Sequence, residues 1–236
     1  MTDAAPLPTY RLDDGVAVVT MDDGKANAIS PAALDSLVQA LDRAEGDAAR
    51  ALVLAGRPGK FSAGFDLATM TSGVEPMRSL VEAGARFMIR LYALGIPTVA
   101  ACSGHALAAG ALVLLSCDHR VGGDGPAKIG LNEVAIGMGL PIFAVELARD
   151  RLAREEFEPA TMQARIYDPN GAVEAGYLDR VVPDGDLLDE AVGDARRLGQ
   201  LRTGAYALTK TRVRERSIAH MLDTLTADVA GLTGPN

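Results

Sequence analysis

The sequence has no tryptophan, and aromatic residues make up only 4% of its 236 positions. Without stacking platforms, recognition is expected to rest on close backbone packing rather than on aromatic surfaces. Cations are outnumbered: 23 Lys and Arg stand against 31 Asp and Glu, a formal charge of −8. That balance excludes a general nucleic-acid or anionic-membrane partner, and a phosphorylated ligand would need a local cluster of Lys or Arg. Cysteine is scarce too. Cys102 and Cys117 lie in apolar contexts, which reads as reduced thiols in a cytoplasmic protein rather than as a disulfide framework. No apolar run is long enough to span a bilayer, and the first residues lack the basic and apolar regions of a signal peptide. No grouping of His, Cys and carboxylates has metal-ligand spacing. Ser62 and Ser103 lack the G-x-S-x-G setting of a nucleophile, and Gly104-x5-Gly110 lacks dinucleotide-binding spacing.

Apolar residues are plentiful, at 48%, so the chain can bury a sizeable core and disorder is not expected. Tyr10–Met21 reads as a β-hairpin turning at Asp14-Gly15. Ser30-Pro31 marks a helix start, with apolar residues at Leu34, Leu37, Val38 and Leu41 and a stop near Gly46. Ala51–Ala55 and Pro97–Cys102 read as buried strands, as do the shorter Asp118–Val121 and Asp179–Val182. Between them come a polar, mobile-looking stretch (69–76), a helix over Ser79–Leu94, and a helix ending near Ser116. Leu187–Leu201 and Thr203–Val229 are helical. The alternation indicates an α/β architecture. The most informative features are two small-residue loops, Phe61-Ser-Ala-Gly-Phe-Asp-Leu67 and Gly104 through Ala109-Gly110. Each runs into an apolar helical pattern, where free N–H groups and the helix dipole favour negative charge.

In order and spacing, these loops and Lys25-Ala-Asn-Ala-Ile29 resemble the landmarks of the crotonase, or enoyl-CoA hydratase/isomerase, superfamily. The resemblance covers nearly the whole chain, including Ile129-Gly-Leu-Asn-Glu133. It implies a spiral of ββα units over residues 1–185, followed by a C-terminal helical region over 186–236 that assembles a trimer or a dimer of trimers. It implies acyl-CoA substrates, with coenzyme A as part of the substrate, and no metal or other cofactor. The N–H groups of Phe65 and Ala109 would then hold the thioester oxygen. Lys25, Ala26, Ala28, Ala63, Gly64, Asp66, Leu67, His105, Gly110 and Leu112 would line the substrate and CoA site. For the CoA phosphates Lys25 is the leading candidate; Arg57, Lys60, Lys210 and Arg212 are alternatives.

Hydratases of this family place two glutamates around the added water. The first position is Leu112 here, which can move no proton; Glu133 occupies the second. Double-bond migration needs only one group that removes and returns a proton, so the pattern favours a Δ3,Δ2-enoyl-CoA isomerase with Glu133 as its base. An enoyl-CoA hydratase and a weakly catalytic acyl-CoA-binding protein are the alternatives. Asp66 has loop capping as its other reading, and His105 has loop packing. His119 is expected to pair with Asp118, His220 to be exposed, and the charge run Arg151–Glu156 to form a solvated helix face.

Overall fold

The computed structural model describes residues 7–233. In chain order its elements are β1 (Thr9–Asp13), β2 (Val16–Thr20), β3 (Ala28–Ile29), α1 (Pro31–Gly46), β4 (Ala51–Ala55), β5 (Gly59–Ser62), β6 (Gly64–Phe65), α2 (Leu67–Thr71) and α3 (Val74–Ala93). Then follow β7 (Thr98–Cys102), β8 (Gly104–Leu107), α4 (Ala109–Ser116), β9 (His119–Gly123) and β10 (Ile129–Gly130). A 3-10 turn, Val134–Ile136, leads to α5 (Ile142–Arg151), α6 (Phe157–Thr161), α7 (Pro169–Ala175), β11 (Arg180–Val182), α8 (Leu187–Leu198) and α9 (Thr203–Ala230). Among the described residues, no helix is long and apolar enough to cross a membrane.

The hairpin of β1 and β2 turns through Asp14 (φ 47°) and Gly15 (φ 76°), left-handed conformations that this dipeptide tolerates. The main sheet has the order β1-β2-β4-β7-β9-β11, parallel after the first pair. Its central strands β4 and β7 are buried along their full length, as parallel strands covered on both faces must be. On one face Val16, Val18, Val53, Val99 and Val121 pack against Leu187, Ala191, Val192 and Ala195 of α8. The alternating residues Ala17, Val19, Leu52, Leu54 and Ala100 face the larger core, shared with α1, α3 and α4. A second sheet, β10-β8-β5, and a two-stranded ladder, β3-β6, stand apart from the main one. Each turn of chain thus adds a strand to the main sheet before feeding the smaller ones, which gives the spiral that the resemblance implies.

Ser30 caps α1 through its Oγ, which accepts the Ala33 amide at 3.2 Å, and Pro31 opens the helix. The helix includes Gly46, and its last amide partner lies at Asp47. The stretch expected to be irregular carries α2 and the start of α3, because Pro76 falls in the first turn of α3, where it removes no helical hydrogen bond. The short strands β5, β8 and β10 replace what the sequence presents as loops.

Helix α9 lies across α3 and α5 of its own chain, and its anchor is Asp118, at the exit of α4. The Asp118 carboxylate accepts from Lys210 Nζ (2.8 Å), Arg214 Nη1 (2.7 Å), Tyr206 Oη (2.7 Å) and the Thr98 amide (2.8 Å). Burial pushes its pKa up, but the charges of Lys210 and Arg214 outweigh that and hold it below the ordinary value. Three expectations are corrected here. Lys210 is buried in this ion pair, so it cannot extend to a ligand. His119 sits between Asp179 (3.3 Å) and Asp194 (3.0 Å), not with Asp118, because strand alternation turns it to the α8 side. Arg151 is no solvated charge: it donates to the carbonyls of Cys117 and Asp118, both at 2.9 Å. His220 is exposed, as expected.

Replacing Asp118 with Asn would leave two buried cations without their counter-charge. The expected cost is about 3–5 kcal/mol in denaturant unfolding at neutral pH. Because the native carboxyl titrates below its ordinary value of 3.8, the stabilisation is present above that pH and is lost as pH falls through the native value. Wild type and Asp118→Asn should therefore converge in strong acid.

Candidate active site

Three parallel strands deliver the candidate residues to one edge. In the small sheet Ser62 of β5 pairs with Ala106 of β8, and Ala106 pairs with Ile129 of β10. Phe65 lies three residues beyond Ser62, Ala109 three beyond Ala106, and Glu133 four beyond Ile129. Parallel strands leave the sheet on the same side, so the pairing itself gathers these residues at the carboxyl ends, where parallel sheets bind ligands. The register is locked by Ala106 N–H donating to Lys128 O (3.0 Å) and Ala108 N–H donating to Gly130 O (3.1 Å).

The two amides are fixed by backbone alone. The Asp66 N–H donates to Ile29 O at 3.1 Å across the β3–β6 ladder. Amides alternate along a strand, so the preceding N–H, that of Phe65, projects from the opposite edge, where β6 has no partner strand. Ala109 is the first residue of α4, so its N–H has no acceptor within the helix. Ala108 precedes it with φ 49°, a left-handed conformation rare outside glycine. The Ala108 carbonyl meanwhile accepts from Ala111 (2.9 Å) and Leu112 (3.1 Å). The loops touch: a Cβ built on Gly64, itself at φ 98°, would lie 3.3 Å from the Ala109 nitrogen. Gly110 is equally constrained, since a Cβ there would meet Ser62 O at 2.3 Å. Two unclaimed amides, one at the edge of β6 and one at the start of α4, are of the kind that can hold an oxygen that gains negative charge.

Glu133 begins the 3-10 turn after β10 and is only 8% exposed. Burial pushes its carboxyl up from 4.5 to about 7, a rise only partly offset by its own backbone N–H. Among the described residues its Oε2 has no hydrogen-bond partner, and neither do Asn132 Oδ1 and Tyr177 Oη. A carboxyl titrating near neutrality is suited to taking up and giving back a proton. Leu112, one turn into α4, is buried and apolar.

The remaining candidates divide. Ala26 and Ala63 meet directly, the Ala63 amide donating to Ala26 O at 3.0 Å. Ala28 pairs with Gly64 in register. Lys25 is exposed beside them, and its amide donates to Asp23 Oδ1 at 2.7 Å. Arg57 is committed to stapling this loop, through Asp22 (3.0 Å) and Lys25 O (2.8 Å). Asp66 caps α2, its carboxylate accepting both the amide and the hydroxyl of Thr69 at 2.8 Å, and Leu67 behind it is 70% exposed. His105 is not brought to the amides. Its Nδ1 accepts the Lys128 amide at 2.8 Å, and its ring faces an open cleft of about 520 Å³ lined also by Asp124, Asp168 and Asn170.

Sequence reasoning passed over Asn27. Buried and left-handed at φ 52°, it donates from Nδ2 to Met21 O, Lys60 O and Phe61 O. Ser62 Oγ in turn donates to Asn27 O at 2.8 Å. Asn27 thereby welds the Lys25–Ala28 segment to the first loop. An Asn between two alanines just after an Asp-Gly turn is the signal that could have revealed it.

Comparison with known proteins identifies the family of this fold. A family model described as enoyl-CoA hydratase/isomerase matches residues 11–232. The mitochondrial enoyl-CoA delta isomerase 1 of Homo sapiens is 31% identical over 220 residues, covering 91% of this chain and 72% of that protein. A putative enoyl-CoA hydratase of Thermus thermophilus is 35% identical over 201 residues, covering 83% and 79%. The crystal structure of an enoyl-CoA hydratase/isomerase family protein from Pseudomonas syringae superposes with a TM-score of 0.93 at 41% identity, covering 96% of this chain and 98% of that one. The chain thus shares the fold of these relatives over nearly its whole length, and it belongs to the enoyl-CoA hydratase/isomerase family.

Proposed function

We propose that the protein is a Δ3,Δ2-enoyl-CoA isomerase. The family acts on acyl-CoA thioesters, and relatives carry both names, isomerase and hydratase. The observation that carries the isomerase reading is the single buried carboxyl of Glu133 with apolar Leu112 where a second acid would stand. Glu133 removes a proton from C2 of a 3-enoyl thioester. The electron pair moves into the carbonyl, whose oxygen the amides of Phe65 and Ala109 hold as an enolate. The electrons return through C2–C3 and the same carboxyl delivers the proton to C4, so the double bond shifts by one position with no net change in composition. We assign exposed Lys25 to a CoA phosphate, supported by its position beside the Ala26–Ala63 contact. Exposed Leu208, Val213 and Leu222 on α9 support a subunit interface for the 186–236 region.

Purified protein incubated separately with 3-enoyl-CoA and 2-enoyl-CoA, with products identified by mass and chromatography, tests the reading. Conversion of the 3-enoyl substrate to the 2-enoyl product is expected. Accumulation of 3-hydroxyacyl-CoA would establish the hydratase instead. Glu133→Gln should lower kcat by about 10²–10⁴-fold with substrate binding retained. The base must be ionised, so wild-type kcat/KM should rise with pH and level off above about 7.

Gly64→Ala tests the amide pair. Its Cβ would crowd the Ala109 nitrogen at 3.3 Å and strain a left-handed backbone, so kcat should drop by about 10²-fold or more, as for loss of one oxyanion donor. An unchanged kcat would count against the assignment of that amide.

The same burial makes a stability prediction. Glu133 binds its proton more tightly in the native state, from 4.5 to about 7, so its ionisation lowers stability as pH rises through that window. Glu133→Gln should be the more stable protein at pH 8, by on the order of 3 kcal/mol, with the difference vanishing at about pH 4.5. Urea unfolding at the two pH values measures it.

A further inference from the structure

Tyr177 is fully buried, and its hydroxyl has no hydrogen-bond partner. It follows Gly176, whose left-handed φ of 91° ends α7 and turns the chain inward. The Tyr177 ring lies 5.6 Å from that of Tyr167, and Tyr167 exchanges both backbone hydrogen bonds with Ile129, at 2.9 and 3.0 Å. The phenol therefore stands behind the strand that carries Leu131, Asn132 and Glu133 to the site. The Leu131 amide approaches its oxygen, and the Glu133 carboxylate acts on it directly through its charge.

Two buried oxygens within electrostatic reach of one another, Tyr177 Oη and Glu133 Oε2, are thus each without a hydrogen-bond partner among the described residues. Each left unmatched costs stability, and an ionised carboxylate costs far more than a neutral one. A phenol can donate only its O–H while its oxygen accepts from an amide. We infer that Tyr177 is a positioning residue for Glu133: its hydroxyl, backed by the Leu131 amide, donates to Oε2 once the carboxyl ionises. The contact steadies one carboxylate oxygen and leaves the other free to move the proton between C2 and C4. The inference rests on the reading of Glu133 as the base. Other charged groups lie on the outer side: the Tyr167 hydroxyl is held by Glu156 at 2.7 Å, and Arg165 sits 5.3 Å above the Tyr167 ring.

The test is the titration of Glu133 in the full chain, followed by carbon NMR of glutamate-labelled protein, with the Glu133→Gln spectrum assigning the signal. Tyr177→Phe keeps the ring and removes the donor. The midpoint should rise by about one pH unit, a tenfold change in ionisation. The acidic limb of the kcat/KM profile with 3-enoyl-CoA should move in the same direction, with KM nearly unchanged. Tyr167→Phe removes a hydroxyl already engaged by Glu156 and should leave the midpoint in place. A midpoint unmoved by Tyr177→Phe overturns the proposal, as does an equal shift from Tyr167→Phe, which would mean altered packing. Failure of the wild type to convert 3-enoyl-CoA would overturn the isomerase reading instead, while the titration still decides the role of Tyr177.

Discussion

The site hangs on the backbone of Ala108. Its left-handed conformation (φ 49°) is what swings the Ala109 N–H out of the β8 strand and into the open start of α4. An L-residue held there stores on the order of 1–3 kcal/mol of strain, which persists only where surrounding structure over-determines it. Here that structure is visible. The Ala108 amide is tied to Gly130, its carbonyl to Ala111 and Leu112, and its Cβ is pressed against the Gly64 position of the other loop. The conformation that exposes one amide therefore depends on the strand that positions Glu133 and on the loop that supplies the second amide. The three parts of the site are one mechanical unit.

That unit separates two kinds of contribution. In the proposed mechanism main-chain groups supply the electrostatic part, and they owe their placement to glycines and alanines that let backbones approach closely. Proton transfer in that mechanism falls to the buried carboxyl of Glu133. Burial tunes that residue: an isolated carboxyl beside apolar Leu131 needs no partner charge to be raised towards neutrality. On the proposed reading, the choice between isomerase and hydratase chemistry turns chiefly on what stands at 112 and 133.

What the sequence revealed followed the range of the interactions involved. The Asp14-Gly15 turn, the Ser30-Pro31 helix start and the uniformly apolar strands β4 and β7 are local signals, and they were legible. The strands β5, β8 and β10 were not. They are two to four residues long, and their identity comes from pairing with segments tens of residues away, which no local pattern encodes. The misread charges have the same origin. His119, Arg151 and Lys210 look like ordinary polar residues until Asp194, Cys117 and Asp118 are brought beside them. The loops at Phe61 and Gly104 stand out as candidate sites in the sequence because small residues leading into an apolar helix have a direct physical meaning for exposed amides.

The Asp118 anchor also has a consequence for how the molecule folds. Its carboxylate sits at the end of the helix that opens with Ala109, and the cations that neutralise it lie 92 and 96 residues further along the chain. Burying that anion before α9 docks would leave it without its counter-charges, which is costly. Contacts of such sequence separation slow folding, so the dry seat of α4 is expected to close only as α9 docks.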